Sequence, residues 1–223
     1  MASVEIRPTL MDPVGRRSTG IVGVVWYLLK SGSVMSGAVT FGREIAARAA
    51  RFEPVTHLKL QKLAFYGWGA LVAHGLEAQS GYGPIRFEAW KHGPVCHALW
   101  LEFRSCRSDA IPLESPTPHP DRDVEQVLED VVEVYGPLGA WALRCETHLE
   151  VIWKRAFDAE RAIEPAEFAE HFRAKFARGR VRLPAHRGGP SAALDGLPVA
   201  TFESLHELAE RLRARKPRIA LGG

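Results

Sequence analysis

Cysteine is scarce in this chain: Cys96, Cys106 and Cys145 are the three it has, an odd number with no C-x-x-C pair. That excludes a disulfide framework or a zinc ribbon and fits a reducing compartment. A long apolar run is also missing. The segment that comes nearest, Ile21 to Leu29 behind Arg16 and Arg17, falls well short of the roughly 20 residues a spanning helix needs. Lys30 to Gly37 offers no A-x-A-like cleavage site, so residues before Met35 are expected to form a weakly ordered extension or to follow a dispensable upstream start.

Charge of one sign is lacking too. With 29 basic and 26 acidic residues the formal net charge is +3, too little for a nucleic-acid reading of the whole chain. There is no internal repeat and no low-complexity tract, which leaves solenoids and coiled coils without support. The G-x-x-x-x-G-K-[ST], H-E-x-x-H and G-x-S-x-G patterns are all missing, so nucleotide hydrolysis, zinc proteolysis and serine hydrolysis lack their usual hardware. No catalytic set, cofactor or metal ligand set is expected.

What the chain does have is the composition of a packed domain, 46% hydrophobic and 25% charged. Phe41, Ile45, Ala49 and Phe52 recur at helical spacing until Pro54 stops the run. Thr56 is placed to cap a second helix through Leu58, Leu60, Leu63, Phe65, Tyr66, Trp68 and Leu71, which Gly75 suits as a C-terminal cap. Apolar residues surround most of it, so it belongs in the centre of the core.

Ile85, Phe87 and Ala89 alternate with Arg86, Glu88 and Trp90, the period of a strand. Gly93-Pro94 is expected to open a helix with Val95, Leu99 and Phe103 as its buried stripe. Ile111 suggests a second short strand, and Pro112, Pro116, Pro118 and Pro120 a stiff connection. Asp121 or Asp123 then caps a helix through Val124, Val127, Leu128, Val131 and Tyr135, which Gly136 ends. Further helices are expected over Leu138 to Thr147, Pro165 to Phe176, and from Thr201 with Phe202, Leu205, Leu208 and Leu212.

The fold class expected is therefore mainly α, a compact helical domain with a small β element between helices 2 and 3, plus a C-terminal basic linker and helix. The divisions are an extension over 1–38, a domain over 39–178, a basic linker over 179–200 and an amphipathic helix over 201–216.

Two motif pairs carry a resemblance. Thr56-His57-Leu58-Lys59-Leu60-Gln61-Lys62-Leu63 with Tyr66, followed by Phe87-Glu88-Ala89-Trp90-Lys91-His92-Gly93-Pro94-Val95, resembles the SocA-like antitoxin family, also called the Panacea domain. Thr147-His148 with Trp153-Lys154, then Ile163 and Phe172, is similar to its second half, so the likeness runs from about Val39 to Phe176. It implies a mainly helical, cytoplasmic bacterial or phage antitoxin that binds a cognate protein toxin. For the SocA type it further implies an adaptor that presents the toxin to an ATP-dependent protease; the residues themselves, by charge and apolar-run length, point to neither a membrane nor nucleic acid as partner. Met1 to Val34 lacks the two successive capped helices of a helix-turn-helix, a departure from many relatives.

The residue-level reading keeps its own alternatives. Lys59 and Lys62 sit between leucines, where an ordinary amphipathic helix or a partner contact would each place them. Trp90, Lys91 and His92 form a corner able either to present Trp90 and His92 to a partner or to brace the fold. Arg178, Arg180 and Arg182 belong to a basic stretch suited to an acidic partner surface, or to phosphates. Cys96, with His92 and His97 nearby, is the candidate for a reactive thiol, against a buried structural cysteine. A DNA-binding repressor and a small thiol enzyme therefore stand as alternatives to the antitoxin.

Overall fold

The computed structural model describes residues 37–177, 181–182, 201–202 and 205–214. Helix α1 covers 37–49, so Gly37 and Ala38 belong to it and not to an extension. The remaining elements are α2 (His57–His74), β1 (Glu88–Trp90), β2 (Gly93–Val95), α3 (His97–Phe103), α4 (Arg122–Tyr135), α5 (Ala140–His148), α6 (Val151–Asp158), α7 (Pro165–Phe172), β3 (Val181–Arg182), β4 (Thr201–Phe202) and α8 (Leu205–Ala214). The protein is mainly helical, with a small antiparallel sheet between α2 and α3. Among the described residues no helix is long and apolar enough to cross a membrane.

The second helix is central, as its composition requires. The Thr56 side chain accepts from Lys59 N and caps it, and Gly75 ends it in a left-handed conformation (φ 71°) that glycine adopts without steric cost. Every residue from Lys59 to Ala73 is buried. Phe65 meets Phe87, Phe168 and Phe172 edge-on at 5.0–5.6 Å, so α2 is wrapped by the hairpin and α7. Around it, α1 is tied to α4 by the buried Arg48, which reaches Glu44, Glu125 and the Thr117 carbonyl. Asp121 caps α4 through two backbone N–H groups.

Several local expectations are corrected. Gly93-Pro94 does not open a helix. Gly93 (φ 94°) pairs with Trp90, Pro94 with Ala89 and Val95 with Glu88, closing a tight hairpin, and α3 starts only at His97 with Cys96 as its N-cap. The strand before it is shortened to Glu88–Trp90, and Phe87 O accepts instead from Ile163 N. Ile111 makes one backbone bond, to Val55 O, beside an isolated Thr56↔Ala110 bridge.

Gly136 ends α4 in a right-handed conformation. Glycine is needed there because a Cβ would strike Val132 O and the Phe52 ring.

The Val151–Asp158 helix was not expected, its run being short, and α7 gives way at Arg173–Ala177 to a wider π turn. Within 179–200, Val181–Arg182 pair with Thr201–Phe202 as a two-residue ladder, so those residues are not plain linker, and the last helix begins at Leu205. The rest of that stretch lies outside the described residues. Helix α8 docks on α4, with Ala209 and Leu212 buried and Arg213 Nη2 2.9 Å from Asp130 Oδ1.

Candidate functional site

Segments far apart in sequence meet beside the hairpin. From α2, Gln61 accepts from Cys96 N at 2.8 Å and donates to Cys96 O at 3.3 Å, pairing with the chain after β2 much as a strand would. The next residue, Lys62, donates from Nζ to Pro94 O at 2.9 Å. A side chain at position 93 would press on Thr147 Oγ1 and Lys62 Nζ, so glycine there serves close approach as well as the turn.

Helices α5 and α6 close the corner. Trp153 Nε1 donates to Trp90 O at 3.1 Å, and its ring stacks between His148 at 4.0 Å and Phe157 at 5.0 Å. Arg144 Nε donates to His92 Nδ1 at 3.3 Å, and its guanidinium lies 4.5 Å from the Trp141 ring centroid.

The groups packed around Lys62 are cationic or neutral. Lys62 is fully buried, and among the described residues no carboxylate stands within ion-pair distance of it. Burial, reinforced by the Arg144 charge, pulls its ammonium down to about 7. His148 is pulled down to about 4 by burial and then by Arg144, Lys62 and His92, and its Nε2 is buried without a partner. The buried pair is thus held toward its neutral forms, and the standing positive charge of the corner is that of Arg144 and of the exposed Lys91.

Behind it sits the opposite charge. Glu150, 6% exposed, accepts from the Tyr66 hydroxyl at 3.0 Å and from Lys175 Nζ at 2.5 Å, with His171 Nε2 2.8 Å from its other oxygen. Burial works to raise its carboxyl, but the Lys175 charge and the His171 hydrogen bond outweigh it and hold the group at about 2. Tyr66 lies flat on Tyr135 at 4.1 Å, and burial pushes both phenols far up. This ionised carboxylate binds α2 to α7 and its π turn.

The residues singled out in the sequence divide sharply. Lys59 and Lys62 are both 0% exposed and face inward, Lys59 to Glu53 and Gly136 O, so neither presents its amine to a partner. Trp90 is half-buried and braces the corner, its Nε1 donating to Glu88 Oε2 and its ring beside Trp100. Lys91 and His92 are exposed on the hairpin turn. Arg182 lies in β3, whereas Arg178 and Arg180 lie outside the described residues.

Cys96 is 3% exposed, and burial pushes its thiol up, the reverse of what a nucleophilic cysteine needs. His148 stacks on Trp153, and Glu150 binds Tyr66, His171 and Lys175.

Trp141 and Arg144 were not anticipated. Trp141 is 59% exposed, the most exposed large apolar side chain among the described residues. A tryptophan inside a helical run reads as core until its face is known.

No protein-family model matches the chain, and no curated protein or solved structure proves similar to it.

Proposed function

We propose that this protein is a cytoplasmic antitoxin that neutralises a co-encoded protein toxin by gripping it directly. One observation carries the reading. The three sequence segments on which the resemblance rests are bonded to one another in a single corner, Lys62 to Pro94 O, Trp153 to Trp90 O, and Thr147 against Gly93. Scattered motif residues that converge on one place behave as a unit. The exposed indole of Trp141 and the turn residues Lys91 and His92 border that unit and supply surface for a partner.

Neutralisation on this reading is stoichiometric: the toxin surface needed for its target is covered. Delivery of the covered toxin to an ATP-dependent protease is a further step of the same proposal. Co-expression of the product of the adjacent gene with and without this chain tests it. Growth should arrest only when this chain is absent, and the two proteins should co-purify. A neighbour that is harmless, or toxic in both cases, overturns the reading.

A further inference from the structure

The grip itself has a chemistry that the structure assigns. We infer that the partner is held through an acidic side chain seated on the Arg144 guanidinium, with Trp141 packed beside it and the hairpin turn at its edge. The inference rests on the antitoxin reading and names the surface used.

Arg144 is held but not satisfied. Its Nε is engaged by His92 and one face of its guanidinium by Trp141, while its two terminal nitrogens bond to no described residue. Arg43, Arg48, Arg51, Arg161 and Arg213 each end on a carboxylate. Arg144 ends on an imidazole and an indole. A guanidinium already fixed in place loses little further freedom on binding, and its free fork matches the two oxygens of a carboxylate.

The surroundings favour an anion over a second apolar surface. The Arg144 guanidinium is a permanent charge with no carboxylate bonded to it among the described residues, and Lys91 is exposed alongside on the hairpin turn. Of the carboxylates that follow Arg144 on the chain, Glu146 is buried in α5, and Glu150 is taken by Tyr66, His171 and Lys175. Trp141 supplies the apolar half of the contact, the pairing of tryptophan and arginine in which binding energy concentrates. A nucleic acid would need a run of phosphate contacts, and the corner presents one fork.

The test uses the full chain and the purified product of the adjacent gene in calorimetric titrations at two salt concentrations. Arg144→Glu and Trp141→Ala should each weaken binding about tenfold or more, and Arg144→Lys by less, because it keeps the charge but loses the fork. Arg161→Glu, on the α6–α7 turn, should stay within about twofold of the unaltered chain. Thermal melting of each variant separates lost binding from lost folding. If Arg144→Glu binds and neutralises as well as the unaltered chain, this surface is wrong and the antitoxin reading stands. If the unaltered chain binds no neighbour product, both fall. Binding of mixed-sequence duplex DNA that disappears with Arg144→Glu would overturn the protein assignment.

Discussion

The Tyr66 hydroxyl donates a 3.0 Å hydrogen bond to Glu150 Oε1 across 84 residues of sequence. With Lys175 and His171 on the same carboxylate, α2, α6 and α7 are joined at a single charged group inside an apolar core. A buried charge is tolerable only when so paired, and removing it leaves the partners uncompensated.

The pH dependence of stability follows with a definite sign. Held at about 2 in the folded protein against 4.5 for the free group, Glu150 binds fewer protons folded than unfolded between those values. Its contribution, about 3 kcal/mol, is present above pH 4.5 and is lost as pH falls toward 2. Urea denaturation from pH 6 to 3 should show this loss, and Glu150→Gln should flatten that limb while lowering stability at pH 7.

Lys62 acts at the other end of the scale. Burial lowers its amine to about 7 from 10.5, so between those values the unfolded chain carries a proton that the folded one lacks. Stability should therefore rise from pH 7 toward 9.5. Lys62→Met removes the titrating group, and the rise in urea midpoint attributable to it should vanish.

Gly69 tests the packing of α2 against α7. A Cβ at that position would overlap the Phe172 ring, which is itself fully buried and cannot swing aside. Gly69→Ala should destabilise the protein by about 1–3 kcal/mol despite the better helix propensity of alanine, measured as a drop in thermal midpoint.

Helix α8 is attached through α4, with Ala209 and Leu212 buried and Arg213 paired with Asp130. Leu212→Asp places a charge where α8 meets α4 and should release the helix, seen as faster tryptic cleavage after Arg213. The thermal midpoint of the rest should move by only a few degrees, because the contacts of α2 with α4, α5 and α7 do not involve α8.

Much of the fold was legible in the residues. The caps Thr56, Gly75 and Asp121 act as their chemistry requires, and the stripe Val124, Leu128, Val131 is buried as its period demands. The hairpin was not, because Gly-Pro suits a helix start and a strand equally well, and only the Gly93–Trp90 pairing decides. Helix α6 went unseen because eight residues carry too little pattern.

For the site the division runs deeper. Local spacing determined that α2 would be central and that Trp90 to His92 would make a corner, since caps, turns and amphipathic periods act over a few residues. Lys62 facing inward, Glu150 ionised among Tyr66, His171 and Lys175, and Trp141 facing solvent with Arg144 upon it were decided only by the tertiary structure. Burial and charge pairing are set by neighbours tens of residues away, and no local pattern records which neighbours those will be.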